Sequence, residues 1–262
     1  MTATQILNQL VPKKHEDGLG WIVHVNRNLC LGPRQSKHLS GGASTAAMID
    51  AMEQEVGKPV IQAATQFLFS PQAEEVAAIT VEVGKTGRSI CQAKARLSVG
   101  CETAVTLSAT LGAKKDIGSF TWAKFENADI PHECPPIPFV REDEGDLHSN
   151  LDMRLVETPS DGNMRFWVKT PDNFLEKTSV FLALIADFLP EAIHFNIGQR
   201  AGAVSLDNSI RIIQREATNW LLCHTKLLSI SDGIFHGNMN LFTDTGILLA
   251  TSSQSGVVRL LD

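Results

Sequence analysis

Apolar and polar positions along the chain fall into two patterns that recur in the same order. The stretch "GGASTAAMIDAMEQEV" sets small and apolar residues at helical spacing behind the pair Gly41 and Gly42, which predicts a helix. "PVIQAATQFLF" follows and reads as a strand. Further on, "TSVFLALIADFLPEA" reads as a more apolar helix, and "GAVSLDNSIRI" as the strand behind it. Each pair leads into a long β-rich tail, "AAITVEVGKTGRSICQAKARLSVGCETAVTLSATLG" in the first case and "NWLLCHTKLLSISDGIFHGNMNLFTDTGILLATSSQSG" in the second. The first copy opens on "GWIVHVN"; the second opens on "LDMRLVE" and "MRFWVKT", which alternate apolar with polar residues and read as strands.

The glycine turns of the two tails match. Gly87 and Gly100 are 13 residues apart, as are Gly233 and Gly246, and an offset of 146 carries Gly100 to Gly246 and Ser108 to Gln254. A shared order of helix, strand, hairpins and turns over about 80 residues indicates an internal duplication. Between the copies, "NADIPHECPPIPFVREDEGD" (Asn127 to Asp146) is rich in proline and acid and carries no periodic apolar pattern, which marks a linker. The units expected are therefore 1–126 and 147–262, joined by 127–146. Each is an α+β layout in which an antiparallel sheet wraps one central apolar helix. A lone unit would leave a sheet edge open, and two copies pairing edge to edge would hide it.

Composition narrows the function. The chain has 262 residues, 43% of them hydrophobic and 20% charged, enough to bury a sizeable core. A net charge of -6 speaks against the broad basic footprint that nucleic-acid binding needs. The five cysteines, Cys30, Cys91, Cys101, Cys134 and Cys223, are scattered without the paired spacing of a zinc site or the density of a disulfide scaffold, and read as reduced cytosolic thiols. The start "MTATQILNQLVPKKHEDG" lacks a basic segment followed by a continuous apolar core, and no run reaches the length needed to span a bilayer. The ending "VVRLLD" carries no lipidation signal. A soluble, unprocessed, cytoplasmic chain is expected.

One acid interrupts the most apolar run. In "VFLALIADFLPEA", Asp187 would lose hydration at a cost of several kcal/mol unless it is paired or used. The bland reading is an exposed charge near a helix end, just before Pro190. Asp50 lends that reading weight: it lies nine residues after Gly41 as Asp187 lies nine after Thr178, so an acid at that height could simply face solvent.

"HLSGGASTAAM", "QFLFSP", "GKTGRS", "LIADF", "VSLDNSI" and "DTGILLATSSQSGVVR" occur in an order that resembles the type II acyl-CoA thioesterases, from about Gly20 to Arg259. The resemblance implies an α+β double hotdog fold, with two antiparallel sheets each wrapping a central helix and paired into one continuous sheet. It also implies hydrolysis of fatty acyl-CoA to fatty acid and free CoA, with no cofactor and no metal. In that family a water is held by an Asp on the second hotdog helix, a Ser or Thr on the next strand and a Gln on the last strand. Carried over, these are Asp187, Ser205 and Gln254. Because the sequence offset gives Gln254 the counterpart Ser108, only the second unit would hold a full set, leaving one site per chain. A homodimer of such chains is expected, as hotdog units commonly associate further. The alternatives are an acyl-CoA-binding protein without turnover and an enoyl-thioester hydratase or dehydratase.

Thioester hydrolysis needs a positioned water, a group to take its proton, and donors for the developing oxyanion. Asp187 could take the proton, or attack the carbonyl and form an anhydride. Gly41 and Gly42 open the first helix, where free N–H groups favour negative charge, so they are candidate substrate-binding residues; the plain alternative is a helix start capped by Ser40. His38 beside the glycine pair is a loop residue that could touch substrate. His194 lies seven residues after Asp187 and beyond Pro190, which weakens a hydratase reading that needs Asp and His together. Lys85 and Arg88, in a glycine turn without P-loop spacing, are hairpin residues that could face CoA phosphates.

Overall fold

The structure is a computed structural model, and it describes residues 1–112, 118–139 and 145–261. In chain order, α1 (Ala3–Leu10) precedes β1 (Lys13–Lys14), β2 (Trp21–His24), β3 (Cys30–Leu31) and β4 (His38–Leu39). Next come α2 (Gly41–Val56), β5 (Val60–Phe67), β6 (Val76–Thr86), β7 (Ile90–Val99) and β8 (Glu102–Gly112). The second half holds α3 (Leu147–Asn150), β9 (Met153–Leu155), β10 (Asn163–Lys169), α4 (Thr178–Ile185) and α5 (Glu191–Ile197). It closes with β11 (Ala201–Ile212), β12 (Trp220–Ser231), β13 (Ile234–Thr243) and β14 (Leu248–Leu260).

Twelve of these strands form one sheet, in the order β1-β2-β6-β7-β8-β5-β11-β14-β13-β12-β10-β9. The halves meet at β5 and β11, which pair antiparallel from Asp207 with Gln66 to Arg211 with Gln62. Each half repeats the same strand arrangement about that seam, as expected for two hotdog units joined through their edges. The far edges are short: β1 has two residues and β9 three, so little unpaired backbone is offered there.

The sheet curves around α2 and α4, which pack against each other. A helix buried all round must be apolar or small-sided on every face. In α2 every residue from Gly42 to Met52 is buried, and in α4 every residue is. Ser40 caps α2 through its side chain on the Ala43 N–H, and Gly57 ends it in the left-handed region at φ 66°. Phe166, Phe181 and Phe235, all fully buried, fill the space between sheet and helices.

Two expectations change. The apolar run from Thr178 does not continue as helix to Pro190: α4 ends at Ile185 with Ala186 as its cap, so Asp187 stands in the turn beyond the helix. Pro190 instead precedes α5, where its missing N–H costs nothing. Asp50 does not face solvent: it is 2% exposed and pairs with Lys177 Nζ at 2.7 Å. The segment 127–146 includes a turn at Pro131–Glu133 and buries Cys134 and Ile137. Cys134 joins Trp167, Trp220 and Phe242 in a second apolar cluster, whereas Ile137 joins the main core. Residues 140–144 of that segment lie outside the described residues. All five cysteines are free thiols. Among the described residues, no helix is long and apolar enough to cross a membrane.

Candidate active site

Four elements converge on Asp187. The end of α4 presents it to the first turn of α2, where its Oδ2 accepts the Gly42 N–H at 2.8 Å. Its Oδ1 accepts from Ser205 Oγ on β11 at 3.1 Å and from Gln254 Nε2 on β14 at 2.5 Å. The same Nε2 donates to Ser205 Oγ at 2.7 Å, so the amide ties acid and hydroxyl together. Acid, hydroxyl and carboxamide, 18 and 67 residues from Asp187 along the chain, thus meet at one point.

Asp187 is partly buried and lines a cleft of about 710 Å³ with Ser205, Gly41 and Phe67. Burial pushes its carboxyl up to about 6, against the opposing pull of the Gly42 N–H and the side chains of Ser205, Asn208 and Gln254. Desolvation is the largest cause, which is the usual route to an acid that titrates near neutrality. Gln254 differs from the other two. It is fully buried, does not line the cleft, and leaves its Oε1 without a hydrogen-bond partner among the described residues. It stands behind the pair and fixes both, and the unmet Oε1 is a cost of order 1–3 kcal/mol carried by the site.

The glycine pair is explained by packing as much as by ligand access. A side chain at Gly42 would run into the Leu184 carbonyl oxygen, and one at Gly41 would meet Asp187 Oδ2 at 2.8 Å. The Gly42 N–H is already held by Asp187 and the Ala43 N–H by Ser40 Oγ, so neither is open to a substrate carbonyl. Gly41 alone of the pair lines the cleft. His38 also lines the cleft, held between Ser36 Oγ and the Ser70 carbonyl. His194 does not line it, and its ring lies tilted against Phe195. Lys85 is on β6 and Arg88 in the hairpin after it, and neither lines the cleft.

Strand register corrects the counterpart of Gln254. In the first half Val60 pairs with Leu111, a bulge follows, and Ala63 pairs with Ala109. In the second Ser205 pairs with Gly256, a bulge follows, and Asn208 pairs with Gln254. Matching the bulges sets Val60 against Ser205, Ala63 against Asn208 and Ala109 against Gln254. Ser108 is exposed and cannot match a fully buried Gln254. The offset of 146 slips by one because the β7–β8 and β13–β14 turns differ in length. The first half therefore has apolar side chains at all three strand positions, and its acid, Asp50, is neutralised by Lys177.

Two groups of residues escaped the sequence. Asn208, 5% exposed, donates Nδ2 to the Ala186 carbonyl at 3.0 Å and so fixes the turn that carries Asp187. Asp146, His148 and Glu191 also line the cleft, yet the first two fall at the edge of a segment that reads as linker. Among the described residues, no cluster of three or more His, Cys, Asp or Glu is arranged to hold a metal ion.

Residues 32–112 match the family model of the acyl-CoA thioesterase N-terminal domain, and residues 131–258 that of the C-terminal domain. No curated protein sequence matches the chain. Among solved structures, a proposed thioesterase of Novosphingobium aromaticivorans is 30% identical, with 93% of this chain and 96% of that one covered and a TM-score of 0.83. A proposed thioesterase II of Thermobifida fusca is 15% identical over 99% of both chains, with a TM-score of 0.84. An acyl-CoA thioesterase II of Mycobacterium marinum is 18% identical over 98% of this chain and 99% of its own, with a TM-score of 0.77. The last two show likeness of fold alone. With the domain models covering most of both halves and a relative at this identity over nearly its full length, the chain belongs to the acyl-CoA thioesterase family of double hotdog proteins.

Proposed function

We propose that the protein hydrolyses acyl-CoA to a free acid and CoA, using one water activated by Asp187. The observation that carries this reading is the contact of the Asp187 carboxylate with Ser205 and Gln254 at the wall of the cleft. A water in the cleft can donate to Asp187 and be oriented by Ser205. Gln254, out of reach of the cleft, holds the two in register. Because Asp187 Oδ2 is occupied by Gly42 and Oδ1 by two donors, the carboxylate is held in place, which favours proton acceptance over attack on the carbonyl. The Gly41 N–H, at the positive end of α2, is the donor left to meet the thioester oxygen. Arg259, exposed on the cleft wall, can meet the phosphates of CoA. We read 1–126 and 147–262 as the two units and 127–146 as the strap between them.

The test is thiol release over a series of acyl-CoA chain lengths. Wild-type protein should release thiol well above background, and Asp187→Asn should lose roughly 100-fold or more in kcat. Full activity in Asp187→Asn would overturn the site. Loss of enoyl absorbance from an enoyl-CoA with no thiol released would instead mark a hydratase, a rival that His148 on the same cleft keeps in view.

A further inference from the structure

Asn208 reaches the site through a single backbone carbonyl, one residue before the acid. Its Nδ2 donates to the Ala186 oxygen at 3.0 Å, and Asn208 itself does not line the cleft. Opposite it on β14 stands Gln254, whose amide binds Asp187. Plain alternation along β11 would put Ser205 and Asp207 on one face. The bulge between them lets Ser205 and Asn208 point inward together, and leaves Asp207 exposed, where it accepts the Ser255 N–H.

The chain itself explains why Ala186 needs such a partner. α4 ends at Ile185 with Ala186 as its cap, and Ala186 is 1% exposed. In a continued helix its carbonyl would accept the N–H of residue 190, four positions on. Residue 190 is proline and has no N–H to give. A buried carbonyl left without a donor is costly, and the Asn208 amide supplies one. It thereby ties the stop of α4, and the turn by which Asp187 leaves it, to the inner face of β11. In the first half the same bulge is followed by Ala63, which has no donor, and there α2 runs on past Asp50 to Val56. The donor and the acid freed from its helix thus occur together in one half only.

Burial pushes the Asp187 carboxyl up, and the Gly42 N–H with the side chains of Ser205, Asn208 and Gln254 pulls it back. The titratable and charged groups on the cleft wall are His38 from β4, Asp146 and His148 from α3 and its cap, Glu191 from α5 and Arg259 from β14. None of them is among the groups that move the carboxyl, and Asp207 of β11 and His194 of α5 do not line the cleft.

We propose that Asn208 is a positioning residue for the general base: by serving the carbonyl that Pro190 cannot, it holds the turn that aims Asp187 at the cleft and governs turnover without touching substrate. The proposal rests on the reading of Asp187 as base. Asn208→Leu keeps the size of the side chain and removes the donor, and Asn208→His returns an N–H at the same number of bonds from the backbone. In thiol release, Asn208→Leu should lower kcat about tenfold or more with KM within about twofold. The acid limb of its kcat/KM profile should move to higher pH by about half a pH unit or more, since the ionised acid has lost a donor. Asn208→His should recover part of kcat and bring the limb back. Asn208→Ala, read in the same way, serves if Asn208→Leu does not fold.

A merely structural role would lower the yield of active protein and leave the limb where it is. An unmoved limb, or an unchanged kcat in a folded Asn208→Leu, would therefore overturn the proposal. Failure of the base reading shows separately, as full activity in Asp187→Asn or as no thiol release by wild type. Carbon-13 NMR of carboxyl-labelled aspartate then follows the Asp187 signal, the one missing in Asp187→Asn, without substrate. A midpoint that rises in Asn208→Leu supports the hold of Asn208 on the acid, and an unmoved one ends it.

Discussion

Asp187 is where residue-level electrostatics and function meet. Its carboxyl, raised to about 6 by burial, must be ionised to accept a proton from water. We expect kcat/KM to rise with pH through about 6 and then level off, and a profile flat from pH 5 to 8 would remove Asp187 as the base. The same shift has a signed effect on stability. An unfolded Asp titrates near 3.9, so between about pH 4 and 6 the folded state binds more protons and this group's contribution to stability falls as pH rises. Urea unfolding should therefore show wild type gaining on Asp187→Asn as pH is lowered from 6 to 4, whatever the other carboxylates do to both proteins. A difference independent of pH would mean that Asp187 keeps an ordinary affinity for its proton.

At the scale of elements, the site depends on how closely two helices approach. The start of α2 can receive Asp187 because Gly42 has no side chain where the Leu184 carbonyl passes. Gly42→Ala should force the ends of α2 and α4 apart, cost ~1–3 kcal/mol in denaturant unfolding, and lower kcat by weakening the N–H contact to Asp187. Unchanged kcat would show that this contact does not matter to turnover. The reciprocal contact, Asp50 with Lys177 at the start of α4, is structural in this reading. Lys177→Met would strand a buried carboxylate and should lower stability by ~1–3 kcal/mol, discounted because Lys177 is partly exposed, while thiol release at a permissive temperature stays near wild type. Loss of activity in the folded variant would give the first-half acid a role denied to it here.

For the whole molecule, the sheet makes two equivalent positions and the side chains equip one. Val60, Ala63 and Ala109 stand where Ser205, Asn208 and Gln254 stand across the seam. We expect a non-hydrolysable acyl-CoA analogue to titrate at about one per chain, and two would show that the first half binds as well. The seam between β5 and β11 is what brings the start of α2, from one half, against the acid at the end of α4, from the other. Neither half by itself can complete the contacts around Asp187.

The sequence by itself determined what depends on neighbours in the chain. Helical spacing behind Gly41 and Gly42 marked α2 to its ends, alternation marked β10, and Gly87, Gly100, Gly233 and Gly246 marked the hairpin turns, because helix, strand and turn each respond to side chains a few residues apart. Order of motifs then gave the family. Only the tertiary structure decided what depends on register and approach. It put Ala109 and not Ser108 opposite Gln254, since a difference in turn length moves every later residue to the other face of a strand. It ended α4 before Asp187, spent the Gly42 N–H on that acid, and withdrew Gln254 behind the cleft. It also folded Asp146, the last residue of a stretch that looks like linker, and His148 just beyond it onto the cleft wall beside Glu191. Contacts between residues far apart in the chain leave no local pattern, because they are fixed by the packing of whole elements.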